Sequence, residues 1–589
     1  MEDFDDFKNL QVAKLPRHLK QFIVAQNYDH YTPVDHAVWR FVMRQNYSYL
    51  KDVAYYPYIP GLKAAGLSLE RIPNLQEMND ALGKIGWGAV TVDGFIPPAA
   101  FMEFQAYKVL VIAADIRQLE HIEYTPAPDI IHESAGHAPI IADPDYHQYL
   151  SYFGSIGAKA IFSSKDFDLY EAIRELSILK EMPNSKPADI RKAEKKVDFC
   201  QQSLGDPSEM ALLSRLHWWT VEYGLIGSLE NHKIYGAGLL SSIGESASCM
   251  SQEVQKLWYN LDTVNYSYDI TKPQPQLFVT PTFQNLITVL EQFADTMAFR
   301  QGGYSGILKA IECKNTCTAV FSSGLQVTGT FTDFGMDSNN QLTYLKTTGP
   351  SALAYQNKEI NNHGKNYHHD GFSSPIGKLK DTDVALEDFS MIERKKHSIE
   401  IGEKCNLIFK SGIEVSGEIK GIFTENNKII IISFKNCTVI DQNGLIYFKP
   451  EWGDYDMAVG EKIISVYCGS ADKELFEENI LKSKTSTLPP KYDEVTIRYQ
   501  NLFRKVRYCR EAQTNLEELP EIYNILKLNY RQDWLCSLEI LEILHKEELF
   551  QEIAQKIKID LEIKATNESE LTRLIINGLS ILNNPLMQL

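Results

Sequence analysis

The sequence predicts a chain in three parts: a mainly α region over residues 1–305, a β-rich region with an internal repeat over 310–480, and an α-helical region over 490–589. Three observations carry this division. Apolar residues recur at helical spacing through the first part, as at Leu75, Met78 and Leu82. Between 310 and 470 the pattern turns to alternating and β-branched runs such as Lys428 to Phe434, punctuated by glycine turns. Beyond a polar joint, Lys482 to Pro490, amphipathic spacing returns, as in Leu538 to Ile553.

Individual elements follow from local chemistry. Thr32, Pro33 and Asp35 predict a helix start, with Thr32 as cap and Pro33 at the first helical position. Asn74 to Leu82 and Phe101 to Leu119 show helical spacing, while Phe95 to Pro98 and Tyr124 to Pro128 are proline-rich joints. Residues 158–205 are rich in lysine and glutamate and predict a helical hairpin turning at Pro183 to Pro187. Phe321-Ser322-Ser323-Gly324-Leu325-Gln326-Val327-Thr328-Gly329 returns 88 positions later as Phe409-Lys410-Ser411-Gly412-Ile413-Glu414-Val415-Ser416-Gly417. Asn339-Asn340 and Asn426-Asn427 sit at matching turn positions, which predicts a duplicated β unit.

The net charge of −18 argues against a nucleic-acid or anionic-membrane partner. No run of 18 uncharged apolar residues predicts a membrane span, and Met1 to Asp6 is acidic, unlike a signal peptide. Nine cysteines in a chain of this length predict thiols and a cytoplasmic protein. Cys313 and Cys317 stand four apart without a second pair at metal-binding spacing. His363, His368, His369 and Asp370 could bind a metal, but their Asn, Gly and Lys neighbours favour a polar loop.

The chemistry concentrates in His132-Glu133-Ser134-Ala135-Gly136-His137. Two histidines at i and i+4 on a helix would suggest a zinc hydrolase. Here the spacing is i and i+5, which on an ideal α-helix turns the rings about 140° apart. Both could reach one metal only if the helix ended or distorted between them, which Gly136 would permit. Two imidazoles and a distant carboxylate would instead suit a facial triad on Fe(II), and Glu222 in Trp218-Trp219-Thr220-Val221-Glu222-Tyr223-Gly224 offers that carboxylate. A surface histidine pair and a buried, hydrogen-bonded glutamate fit the same residues.

Three blocks resemble one family. Tyr124 to Pro139, Trp218 to Gly224 and Ile234 to Glu245 are similar, in order, to segments of the aromatic amino acid hydroxylases. The resemblance covers roughly residues 30–300. It implies the hydroxylase fold for the first part, with His132, His137 and Glu222 as iron ligands. It implies Arg117 as clamp for a substrate carboxylate, with Thr125, Pro126, Trp218, Ser241 and Ser242 lining the amino acid pocket. For the pterin it implies the loop Val92 to Pro98, with Gly94, Phe95 and Ile96 bonding the ring system, Phe101 stacking on it and Glu133 helping to position it. Glu245 matches a carboxylate of supporting role. The implied cofactors are Fe(2+) and a tetrahydropterin such as tetrahydrobiopterin, with O2 as co-substrate. The implied reaction is hydroxylation of L-phenylalanine to L-tyrosine. His217 stands where animal enzymes carry Tyr, Val111 replaces a family His, and the hairpin at 158–205 is extra. A tyrosine or tryptophan hydroxylase, a zinc hydrolase, and a non-catalytic sensor of aromatic amino acid or pterin are the alternatives. Expected partners are the small-molecule substrate and, through the C-terminal region, a second copy of the chain.

Overall fold

Thr32 opens the long helix Pro33–Val53 with a reciprocal cap: its hydroxyl accepts from the Asp35 N–H (3.2 Å) and the Asp35 carboxylate accepts from the Thr32 N–H (2.7 Å). The computed structural model describes residues 8–92, 96–123, 128–181, 186–269, 273–477 and 491–582. Asn74 caps the helix Leu75–Leu82, whose Leu75, Met78 and Leu82 are buried in the same core as Trp39, Val42 and Leu50 of Pro33–Val53.

The helix expected over 101–119 is not formed as such. The helix Pro98–Ala106 stops, Lys108 turns the backbone at φ 59°, and Val109–Ala113 runs as a strand parallel to Gly88–Val92. The reason lies in Val-Leu-Val-Ile-Ala. A short, continuous apolar run satisfies helical periodicity, yet both its faces are buried here, as parallel strands require. A second small sheet orders His232–Ile234, Leu225–Gly227, Gln276–Thr280 and Gln255–Trp258. The helices Ser164–Glu181 and Pro187–Ser203 pack on each other as the hairpin, joined across them by Lys196 and Glu175 at 2.6 Å. Residues 182–185 of its turn lie outside the described residues.

In the β-rich region, Cys317–Phe321, Leu325–Met336 and Leu342–Tyr355 pair antiparallel in sequence order. Lys404–Ile408, Glu414–Glu425 and Lys428–Ile440 do the same. Both first turns close alike: the Gly324 N–H donates to the Phe321 carbonyl and the Gly412 N–H to the Phe409 carbonyl, each at 2.9 Å. The two glycines have φ of 95° and 85°, a region only glycine enters cheaply. Asn340 and Asn426-Asn427 hold the second turns at positive φ. Strand Ile463–Cys468, after the second set of strands in the chain, pairs antiparallel with Cys317–Phe321. That pairing brings Cys468 to Cys313 and Cys317, a third thiol absent from the local spacing.

The C-terminal helices, from Glu494–Ala512 to Ser569–Ile581, bury their apolar residues in the core of the first part. Trp534 meets Phe41 edge-on at 5.0 Å. Arg40, buried in the middle of Pro33–Val53, pairs with Glu70 (2.6 Å), Glu542 (2.5 Å) and Glu539 (3.4 Å). Residues 491–582 are thus separate in sequence but joined to the first part through one apolar core. Among the described residues, no helix is long and apolar enough to cross a membrane.

Arg40→Ala should cost about 1–3 kcal/mol in chemical denaturation, because it removes the buried guanidinium shared by Glu70, Glu539 and Glu542 while Arg510 and Arg44 remain as partners of the last two. Arg498→Ala, which breaks the solvent-exposed pair with Glu494, should leave the denaturation midpoint unchanged.

Candidate active site

The i, i+5 spacing finds its explanation in the backbone. Ile131–His137 is a turn of π-helix, whose hydrogen bonds run between residues five apart, so His132 and His137 share one side. Their ring centroids lie 5.1 Å apart with the planes nearly perpendicular. Trp218–Glu222 is a second π-helical turn that continues the helix Glu209–His217; the Tyr223 N–H reaches back to the Trp218 carbonyl at 2.8 Å. It delivers Glu222 between the two rings, with Oε2 3.3 Å from His132 Nε2 and Oε1 3.3 Å from His137 Nε2.

Gly136 contributes closeness rather than an unusual dihedral. A Cβ there would stand 2.7 Å from the Ala237 carbonyl oxygen, so only glycine lets the helix Ala237–Ser241 pack on the π-turn. That helix carries Ser241, whose hydroxyl donates to the Ala237 carbonyl (2.8 Å) and lies 3.0 Å from His132 Nδ1. With its one proton committed, the hydroxyl accepts from Nδ1–H and leaves Nε2 as the nitrogen that faces Glu222.

Burial alone would raise the Glu222 carboxyl; the His137 and His132 imidazoles overcome it and hold Glu222 well below the usual carboxylate range. Burial lowers His132, but Glu222 outweighs it and brings the imidazole to about 9. The cluster thus holds a proton that a cation would displace. Burial raises Glu133 and lowers His217 to about 4. His137 Nδ1, Glu133 Oε2 and His217 Nε2 are buried without a hydrogen-bond partner among the described residues. Two imidazoles and a carboxylate at these separations, with unpartnered polar atoms around them, fit a divalent metal.

Arg117 lies against this cluster. Its Nε and Nη2 bind the two oxygens of Asp129 at 2.8 and 2.9 Å, and Asp129 also accepts from the His132 N–H at 3.0 Å. Burial would raise Asp129, but Arg117 holds its carboxyl below the usual range.

A family model of the biopterin-dependent aromatic amino acid hydroxylases matches residues 20–186 and 188–320, just over half of the chain. The chain belongs to this family. Phenylalanine-4-hydroxylase of Pseudomonas aeruginosa is 29% identical over 46% of this chain and 86% of its own. The enzyme of Chromobacterium violaceum is 28% identical over 45% of this chain and 75% of its own. A crystal structure of the latter with iron(III) and 7,8-dihydrobiopterin covers 47% of this chain and 88% of that chain at 26% identity, with a TM-score of 0.37.

The remaining expected site residues are placed unevenly. Trp218, half-buried, lies stacked between Tyr223 (4.6 Å) and Tyr268 (4.4 Å), so its ring faces are occupied within the chain. Ser241 faces the back of His132, and the Ser242 hydroxyl caps the helix Ile243–Ser248 by accepting from the Glu245 N–H at 3.3 Å. The Ser241 proton is committed to the Ala237 carbonyl, whereas the Ser242 hydroxyl accepts in its cap and keeps its own proton to donate. Burial raises the Glu245 carboxyl, while a hydrogen bond with Tyr223 opposes it. Phe101 meets His217 edge-on at 5.9 Å, and His217 Nδ1 stands 3.9 Å from Glu222, which ties the expected pterin side to the triad. Val111 is buried in its strand and Ile96 is half-buried. Gly94, Phe95, Thr125 and Pro126 lie outside the described residues. Asp129 and Tyr268 were not legible as site residues: nothing in their local pattern marks a partner for Arg117 or Trp218.

Gly136→Ala should destabilise the protein by about 1–3 kcal/mol, because its new methyl meets backbone that cannot yield. A thermal or denaturant midpoint equal to that of the unaltered protein would show that the two elements can part at no cost.

Proposed function

We infer that the chain hydroxylates L-phenylalanine to L-tyrosine, using Fe(2+), a tetrahydropterin and O2. The observation that carries this is the convergence of His132, His137 and Glu222 from two π-helical turns, in a chain of the aromatic amino acid hydroxylase family. The named relatives support phenylalanine as substrate. Trp218 favours phenylalanine or tyrosine over tryptophan, because tryptophan hydroxylases tend to place Phe there.

His132, His137 and Glu222 would hold the iron. Iron and reduced pterin together supply the activation of dioxygen and the delivery of one oxygen atom to the aromatic ring, chemistry that side chains lack. The chain's own residues position and exclude. Ser241 fixes the His132 tautomer that can ligate. Asp129 fixes Arg117, whose remaining N–H groups are suited to a substrate carboxylate. Glu133, buried and pushed toward its protonated form, can present a hydrogen-bond donor to the pterin side. Phe101 offers the ring face for stacking, and the family resemblance assigns hydrogen bonds to the pterin ring to Gly94, Phe95 and Ile96. Trp218 acts through its edge and its stacked neighbours rather than its faces. Ser242 and Glu245 belong to the surrounding wall, and the family resemblance assigns Thr125 and Pro126 to the amino acid pocket.

The first part, 1–305, is a mainly α catalytic domain carrying the 158–205 hairpin as an insertion. The matched turns and strand lengths of the β-rich region, 310–480, support a duplicated unit. The C-terminal helices use their apolar faces on the catalytic core, which leaves self-association to exposed residues such as Ile559, Ile563 and Ile576. All nine cysteines are free thiols, which supports residence in the cytoplasm.

Purified chain loaded with Fe(2+) and given a tetrahydropterin and phenylalanine in air should form tyrosine, read by chromatography. Glu222→Ala should lose both iron and product; iron retained in full would remove Glu222 from the ligand set. Ser241→Ala should weaken iron binding about 10–100-fold in chelator competition, with the fold intact.

A further inference from the structure

Three groups of histidine, cysteine or carboxylate side chains among the described residues converge closely enough to hold a metal ion, and the triad above is one of them. We propose that His363, His368 and Asp456 form a second metal site, which takes a first-row divalent cation such as zinc and clamps the two β units together.

The two histidines are placed by one strand. The Leu353 N–H donates to the His363 carbonyl at 2.9 Å and the Ser351 N–H to the His368 carbonyl at 3.0 Å, so the loop carrying both folds back along Leu342–Tyr355. Asp456 arrives from the other unit, on strand Tyr455–Ala458, opposite Ser433. The Ser433 hydroxyl donates to Asp456 Oδ1 at 2.5 Å and so fixes the carboxylate. The other oxygen, Oδ2, is left 3.9 Å from His363 Nδ1, which stands 3.2 Å from His368 Nε2.

A cation with ordinary bonds of about 2.1 Å can join donors up to about 4.2 Å apart. Both separations fall within that reach, as do the 3.3 Å separations around Glu222. Two imidazoles and a carboxylate are a donor set that zinc and its neighbours in the first row accept.

Charge points the same way. Asp456 and His368 are only 7% and 8% exposed. Among the described residues no lysine or arginine pairs with Asp456; Lys420 is engaged by Asp454 at 2.7 Å. A buried carboxylate without a cation is costly, and a metal ion would remove that cost. The tyrosine between the histidines, Tyr367, packs edge-on against both rings, at 5.7 and 4.8 Å, and its hydroxyl bonds Asp456, a neutral donor that leaves the carboxylate charge unbalanced. His369 and Asp370, neighbours of the pair in sequence, face solvent and bind each other at 3.2 Å, so they play no part. The hydroxylase reading neither requires this site nor depends on it.

The test uses the full chain carrying Glu222→Ala, so that the first site is disabled. After chelator treatment, Co(2+) is titrated in as a spectroscopic stand-in for zinc. One cobalt ion per chain is expected, with visible d–d absorption, no thiolate charge-transfer band, and displacement by zinc. Adding either His368→Gln or the more exposed His363→Gln should abolish the signal, and cobalt should raise the melting midpoint of the Glu222→Ala chain but not of these double variants. No cobalt bound to the folded Glu222→Ala chain would overturn the proposal. So would a signal that persists unchanged in both double variants, or one carrying the thiolate band of Cys313, Cys317 and Cys468.

Discussion

Everything at the candidate site depends on the period of one turn of backbone. An α-helix through Ile131–His137 would point His132 and His137 away from each other; a π-helix, closing five residues apart, points them together. The second π-turn, Trp218–Glu222, does the same service for the carboxylate. Such turns are marginal on their own, and each is braced by packing. Ala237 presses on Gly136 and Ser241 holds the back of His132. Trp219, Thr220 and Val221 anchor the other turn in the core.

The bracing extends outward. Asp129 serves two groups at once, fixing Arg117 through both oxygens and capping the backbone at His132. A residue suited to grip substrate and a residue suited to hold metal are therefore set by one buried carboxylate. Farther out, Arg40 and Phe41 of Pro33–Val53 receive the C-terminal helices, so residues 491–582 complete the core on which the site is built.

Much of this was legible in the sequence. The cap at Thr32, the helix after Asn74, the two helices of the hairpin and the glycine turns at Gly324 and Gly412 follow from side-chain chemistry and spacing that act locally. The spacing of His132 and His137 announced a distortion without saying which kind. What escaped notice depends on distant partners. Val109–Ala113 reads as helix until a parallel neighbour buries both its faces. Nothing local to Ser241 says that its hydroxyl is held by the Ala237 carbonyl and backs His132. Trp218 looks like a free ring face until Tyr223 and Tyr268 cover it. Asp456 lies too far along the chain from His363 and His368 for any local pattern to join them.

Anomalous diffraction at the iron edge, from crystals of the Fe(2+)-loaded chain, addresses the central claim directly. The strongest peak should lie within bonding distance of His132 Nε2, His137 Nε2 and a Glu222 oxygen, with residues 131–137 in π-helical form. A peak elsewhere, or iron bound there by only one of the two imidazoles, would contradict it.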